Sequence, residues 1–168
     1  MIDADACAMS MVIRPARPSD AALIFSLVCE LAAYEKLAHE VVTTADELAQ
    51  ALFSATPTVF CEIAEWNGEA AGFAVWYRDF STFSGRRGIY LEDLFVRPAY
   101  RRRGIGRALL SGLARRCTAE GWNRLQWSVL DWNTSAIEFY RSLGAELQAD
   151  WRLCRVADSA LAKLAQGE

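Results

Sequence analysis

Histidine is nearly absent from this chain: His39 is the only one, and it stands in a polar stretch beside Glu40. A metal centre built on it would need carboxylates or thiols at ligand spacing, and no spacing supplies them, so a surface histidine and no metal are expected. Cysteines are few and scattered: Cys7, Cys29, Cys61, Cys117 and Cys154, odd in number and without a CxxC pair. That excludes a disulfide framework and reads as reduced thiols in a cytoplasmic protein. No apolar run reaches the roughly 20 residues that span a bilayer, so no membrane partner is expected. Positive charge does not dominate: 18 Lys and Arg stand against 21 Asp and Glu, for a net charge of −3. The balance argues against nucleic acid as a partner and suits a small cationic substrate. The first residues, 1–10, lack the basic and apolar regions of a signal peptide and read as a flexible tail ahead of a single domain over 11–168.

What is present is core material and clear punctuation. The chain is 53% hydrophobic and carries six Trp, five Tyr and eight Phe over 168 residues, enough for one packed domain. A short strand over Met11–Arg14 is stopped by Pro15. Pro18-Ser19-Asp20 opens a helix to about Tyr34, with Leu23, Leu27 and Leu31 on one face. Thr44-Ala45-Asp46-Glu47 is a capping box that starts a short helix through Phe53. Strands over 58–66 and 69–80 flank Asn67-Gly68, the strongest short hairpin signal. A loop over 81–88 and a strand over 89–96 follow. The next helix spans 104–120, with Ile105, Leu109, Leu113 and Cys117 on one face and Gly121 after it. A strand over 123–130, a helix capped by Asn133 or Thr134 and running to Leu143, strands near 145–148 and 151–156, and an Asp158-capped helix complete the chain. The expected architecture is α/β (α+β): a mixed, mainly antiparallel twisted sheet flanked by helices.

The segment Arg101-Arg102-Arg103-Gly104-Ile105-Gly106-Arg107-Ala108 joins a strand to a helix. Its glycines allow a tight turn without a Cβ in the way. The helix start offers free N–H groups and the positive end of a dipole, a setting for a pyrophosphate. It is not a Walker loop, because Gly106 is followed by Arg107-Ala108 rather than Lys-Ser/Thr. It is not a Rossmann fingerprint either, because Leu109 stands where the third glycine belongs. By itself, it fits a solvated basic turn as well as an anion site.

The residues before it decide between these. Leu94-Phe95-Val96-Arg97-Pro98-Ala99-Tyr100-Arg101-Arg102-Arg103-Gly104-Ile105-Gly106 resembles the signature of the GNAT acetyltransferases, a strand with V-x-P followed by R/Q-x-x-G-x-G/A opening a helix. The resemblance implies the GNAT fold and acetyl-CoA as cosubstrate. It implies that the pyrophosphate rests on the loop from Arg101, Arg102 and Arg103 through Gly104, Ile105, Gly106 and Arg107. It also places the pantetheine arm along Leu94, Phe95 and Val96. Downstream, Asn133-Thr134-Ser135-Ala136-Ile137-Glu138-Phe139-Tyr140, followed by Gly144-Ala145, is similar to the family's later motif. By that resemblance Asn133, Ser135 and Ala136 would touch the CoA arm and Tyr140 would stand near the sulfur.

A tyrosine there has a chemical use. Amine attack on a thioester expels a thiolate, and a phenol of pKa near 10 can protonate it while staying neutral at pH 7. The amine must also lose a proton, and Glu92 is the expected acceptor, directly or through a water. Strand alternation lets only one of Glu92 and Asp93 share a face with Tyr90 and Leu94, unless a bulge intervenes.

The resemblance narrows further. Ala33-Tyr34-Glu35-Lys36-Leu37, Tyr90-Leu91-Glu92-Asp93-Leu94-Phe95-Val96, Trp132-Asn133, Phe139-Tyr140 and Trp151-Arg152-Leu153 look like the diamine acetyltransferases, of the spermidine/spermine and thialysine type. That family is homodimeric. It implies that Tyr34, Glu35, Glu92, Asp93 and Trp151 line the amine side. The chain departs from the polyamine enzymes in three places, one of them a shorter segment between Gly144 and Trp151 with Asp150 as its only acid near the tryptophan. It carries Arg86-Arg87 and a Phe where they tend to place a Trp, and Arg102-Arg103 where they carry Gly-Phe. Arginines at the mouth would repel a polyamine or bind the carboxylate of an amino-acid-like amine. The expected function is acetyl transfer from acetyl-CoA to the primary amine of a small cationic substrate: a polyamine, a diamine or a thialysine-like amino acid. The alternatives are a protein or peptide N-acetyltransferase, a non-catalytic acyl-CoA sensor, and an RNA-binding domain using the arginines.

Overall fold

The computed structural model describes residues 10–167; Cys7 and all of the expected tail except Ser10 lie outside the described residues. The described residues divide into two compact units, one ending at Ser128 and the other beginning at Val129.

The first unit is built on a five-stranded sheet in the order β1-β2-β3-β4-β5. Its strands are β1 (Met11–Pro15), β2 (Val59–Trp66), β3 (Glu69–Ser81), β4 (Arg86–Val96) and β5 (Leu125–Trp127). The first four pair antiparallel and β4 pairs β5 in parallel, giving the mixed, mainly antiparallel sheet read from the sequence. Asn67 and Gly68 both have positive φ, 52° and 82°, as a type I′ hairpin turn requires. Two expectations are corrected. The 81–88 loop shrinks, because Ser81 pairs with Arg86 and Phe80 with Arg87, so the strands run on almost to the tip. The strand expected over 123–130 is confined to Leu125–Trp127, because only Ile89, Tyr90 and Leu91 of β4 offer it a ladder.

Helices cover both faces. α1 (Ala21–Tyr34) follows a 3-10 turn at Pro18–Asp20, and α2 (Ala45–Phe53) starts at Thr44 with the expected capping box. Their apolar sides meet Cys61, Ile63, Phe73, Val75 and Phe95 in one core. On the opposite face α3 (Ile105–Ala119) buries Ile105, Leu109, Leu113 and Cys117, the four positions expected of it. Here the sheet contributes the buried Ala64, Trp76 and Leu91, and the Arg116 guanidinium lies 5.0 Å from the centre of the Trp76 ring. α3 is the crossover that two parallel neighbours need.

Arg97 staples the turn after β4 in place. It donates to Glu30 of α1 (Nη2 to Oε1, 2.7 Å; Nε to Oε2, 2.9 Å) and to the carbonyl of Ala70 (2.8 Å). This pair holds the Glu30 carboxyl below its usual range. Gly72 is required for a different reason: a Cβ there would come within 2.4 Å of the Phe95 carbonyl oxygen, so β3 and β4 could not approach as they do.

The second unit holds α4 (Thr134–Arg141) and α5 (Asp158–Gln166). Asn133 caps α4, and Gly144, at φ 88°, ends the turn that follows. Neither strand expected near 145–148 or 151–156 forms. A strand needs a ladder partner, and these segments have none among the described residues. Asp158 does not cap α5 either: the N-cap is Ala157, and Asp158 is the first helical residue, at φ 51°.

Candidate active site

Two features of the first unit meet at one end of β4. The first is the loop into α3. The Arg97–Pro98 turn leads to Arg102, held at φ 62°, and to Gly104, at φ 79°, which is the helix N-cap. No side chain caps this end, and the first turn contains no acid. The N–H groups of Ile105, Gly106 and Arg107 therefore face an environment that favours an anion. Arg101 is fixed: its Nε donates to the Val96 carbonyl at 2.9 Å, and its guanidinium lies 4.5 Å from the centre of the Tyr34 ring. Arg103 lies over the rings of Trp66 (5.0 Å) and Tyr100 (5.7 Å). The Tyr100 hydroxyl donates to Glu69. Thus Arg101 and Arg103, though exposed like Arg102, stiffen the loop by resting on ring faces.

The second feature is a fork in the sheet. Pairing between β4 and β5 stops at Leu91 and Trp127, so residues 92–96 of β4 present an unpaired edge on that side. An extended ligand can add to such an edge with its own amide groups. Leu94, Phe95 and Val96, expected along a pantetheine arm, lie on this stretch.

At the fork the ladder slips by one residue. Val75 pairs with Asp93 and Trp76 with Leu91, leaving Glu92 as the extra residue of a β-bulge. Residues opposite one another in an antiparallel ladder share a face. Asp93 therefore joins Val75 on the α1–α2 side, and Leu91 joins Trp76 on the α3 side. Glu92 is exposed and Asp93 is half-buried. Burial, helped by the charges of Glu92 and of Glu35 just past α1, pushes the Asp93 carboxyl up to about 6. Burial also raises Glu35. The same face carries Tyr77 and Tyr90, whose rings stack at 5.2 Å. The Tyr90 hydroxyl is 2.8 Å from Ser128 Oγ. Burial and the nearby Glu92 raise the Tyr77 phenol. Three carboxyls beside aromatic faces form a setting in which an organic cation is attracted and desolvated.

The sequence reading is thus partly assembled by the fold. Tyr34, Glu35, Asp93 and Phe95 converge: Tyr34 and Phe95 have ring centres 6.5 Å apart, and Glu35 acts on Asp93. Glu92, expected as the base, is the outer member of the acidic group. Arg86 and Arg87 open β4, six to seven residues from Asp93, about 20 Å along the strand. That separation is too long for them to hold the carboxylate of an amino acid whose amine lies at Asp93. The Tyr77–Tyr90 wall was missed, because the β3–β4 register depends on a tight turn at 82–85 that carries no clear signal.

In the second unit, the Asn133 side chain accepts from the Ala136 N–H and the Ser135 hydroxyl, both at 3.3 Å, so these three expected CoA contacts first build the start of α4. Phe139 and Tyr140 have ring centres 5.4 Å apart on that helix. The Tyr140 carbonyl accepts from Leu143 (3.0 Å) and Ala145 (3.1 Å) as the helix ends. Trp151 is exposed.

The Acetyltransferase (GNAT) family profile matches residues 26–145. Among curated proteins, the chain is 36% identical to a thialysine N-epsilon-acetyltransferase of Bos taurus, over 92% of this chain and 97% of that protein. It is 31% identical to L-ornithine N5-acetyltransferase NATA1 of Arabidopsis thaliana, over 89% of this chain and 85% of that one. Among solved structures, an integron cassette protein from the mobile metagenome of V. cholerae superposes with a TM-score of 0.78 at 28% identity, covering 95% of this chain and 99% of that one. The aminoglycoside N-acetyltransferase AAC(6')-Iy in complex with CoA shares the fold, with a TM-score of 0.72 at 21% identity over 92% of this chain and 98% of its own.

Proposed function

The chain belongs to the GNAT family of acetyltransferases and is an acetyl-CoA-dependent N-acetyltransferase, and from that premise we propose that its acceptor is the primary amine of a small cationic substrate: a diamine, a polyamine or a thialysine-like amino acid. The observation that carries this reading is the acidic group of Glu35, Glu92 and Asp93, set against aromatic faces at the open edge of β4. The names of the relatives point the same way, since thialysine and ornithine are both small amino acids with a second amine.

In this reading acetyl-CoA lays its pyrophosphate on the loop Arg101–Arg107 and its arm along Leu94, Phe95 and Val96, with Asn133, Ser135 and Ala136 as further contacts. Tyr34, Glu35, Glu92, Asp93 and Trp151 line the amine side. The β4 acids attract the ammonium and take up the proton it must lose. The free amine attacks the thioester carbonyl directly. The C–S bond breaks, and the Tyr140 phenol protonates the leaving thiolate, help worth roughly 10²–10⁴ in rate.

The protein is also proposed to be a cytoplasmic homodimer. Free thiols at Cys29, Cys61, Cys117 and Cys154 support the location. The exposed Trp151 and Leu153, in a segment patterned as a strand but without a ladder, support the dimer. No described helix is long and apolar enough to cross a membrane.

The test is CoA-thiol release from acetyl-CoA with spermidine, putrescine, thialysine, L-ornithine, lysine and a basic peptide. Selective turnover of a small amine supports the reading. Turnover of the peptide alone, or acetyl-CoA binding without turnover of any amine, overturns it.

A further inference from the structure

We propose that Asp93, rather than its neighbour Glu92, receives the proton of the attacking amine, and that Glu35 acts on it as a positioning residue. The inference deepens the function proposed above and rests on it. Its basis is the bulge in β4. In regular alternation Asp93 would share the α3 side with Leu91, two residues before it, and Glu92 would face the other way. With the bulge, Asp93 stands opposite Val75 on the side where α1 ends, half-buried, while Glu92 is turned out to solvent.

The groups that face Asp93 come from each element around it. β4 contributes Glu92, and the residue after α1 contributes Glu35. β2 contributes the buried Cys61 thiol, held protonated first by burial and then by the charges of Glu62, Asp20 and Asp93. Tyr77 of β3 stands under the influence of Glu92. The cation over Tyr34 and Phe95 belongs to Arg101 (4.5 and 5.9 Å). What acts on Asp93 itself is burial and two like charges, and all of these strengthen its hold on a proton. A proton acceptor must compete for the ammonium proton and then release it to water, and a carboxylate poised near neutrality does both better than an exposed one.

The step balances. One N–H bond of the ammonium breaks, the electron pair stays on nitrogen, and the proton passes to a carboxylate oxygen of Asp93. The neutral amine then bonds to the thioester carbonyl carbon, and sulfur leaves with the C–S pair. The leaving thiolate takes the phenol proton, and the second N–H proton shed by the adduct restores the phenol. Asp93 returns its proton to solvent, so each turnover releases one proton. Glu92 serves to draw in the cation.

The experiment is the pH profile of kcat/KM, by CoA-thiol release with the best amine of the panel, for the wild type and for Asp93→Asn, Glu92→Gln and Glu35→Gln. The wild type should lose activity on the acidic side. Asp93→Asn should lose roughly 10²–10⁴-fold in kcat and lose that acidic limb, with acetyl-CoA binding retained and activity partly restored by Asp93→Glu. Glu92→Gln should raise KM for the amine and keep the limb. Glu35→Gln should move the limb to lower pH, because a like charge is removed, an effect that a purely structural role would not produce. A limb that survives in Asp93→Asn, or that vanishes in Glu92→Gln, overturns the inference. Failure of the underlying function looks different: the wild type would bind acetyl-CoA and acetylate no amine. In that event, a carboxyl-carbon NMR titration of the wild-type protein, assigned by the signal lost in Asp93→Asn, decides the matter. Titration in the ordinary aspartate range overturns the inference, and titration near neutrality that shifts on adding putrescine supports it.

Discussion

The guanidinium of Arg101 lies 4.5 Å from the centre of the Tyr34 ring, while its Nε holds the Val96 carbonyl at 2.9 Å. One side chain therefore ties the loop into α3 to the aromatic residue at the edge of the acidic group. A change on the amine side should then be felt at the cosubstrate. Tyr34→Leu is expected to raise KM for the amine several-fold and also to weaken acetyl-CoA binding, because Arg101 loses the surface on which it rests. In a double-mutant cycle with Arg101→Ala, the unfolding free energies should be non-additive by about 0.5–2 kcal/mol. Strictly additive values from urea titrations would mean that loop and ring are independent.

Tyr140→Phe removes one oxygen and keeps the ring that packs against Phe139. If the phenol protonates the leaving thiolate, kcat should fall by roughly 10²–10⁴, while acetyl-CoA affinity, measured by calorimetry, stays within about two-fold. Near-normal turnover would remove Tyr140 from the chemistry.

How far the sequence carries can be read at particular residues. The capping box at Thr44, the I′ turn at Asn67-Gly68 and the buried face of α3 are local or periodic signals, and each forms as expected. The turn from β4 into α3 was legible because strand, glycine spacing and helix all occur within a dozen residues. The bulge at Glu92 was not, because it is a property of the ladder between β3 and β4 and shows only when Val75 finds Asp93. Sequence alternation alone could not decide which acid turns inward. The strands expected over 145–148 and 151–156 fail for a related reason: pattern gives a segment its preference, but only a partner gives it a ladder.

Gly104 and Arg102 test the loop's backbone. Nothing lies within 4 Å of a Cβ built on Gly104, so a side chain there meets no wall, and the cost comes from its φ of 79°. Gly104→Val puts a β-branched residue into the left-handed region, at about 1–2 kcal/mol or more. It should lower Tm and shift the start of α3 enough to abolish measurable acetyl-CoA binding. Arg102, at φ 62°, already carries part of this cost. Arg102→Gly should leave stability unchanged or raise it by up to ~1 kcal/mol, while weakening acetyl-CoA binding through the lost charge. Full affinity in Gly104→Val would place the phosphates elsewhere.

Asp93 should also leave a mark on stability. Its carboxyl is pushed up to about 6 from an ordinary value of 3.8, mainly by burial and then by Glu92 and Glu35. In that interval the folded state holds the proton more tightly than the unfolded chain, so stability falls as pH rises from about 4 to about 6 and stays lowered above it. Asp93→Asn removes the ionisation and should be more stable than the wild type at pH 7.5 by an amount on the order of 1–3 kcal/mol. At pH 4 the gain should largely vanish, because the wild-type group is then protonated in the fold. Some decline with pH should persist in the variant, since burial raises Glu35 in the same direction. Urea unfolding at the two pH values, compared at equal m, measures the difference; parallel curves for the two proteins would mean that Asp93 ionises without cost, and that the bulge does not turn it into a desolvated position.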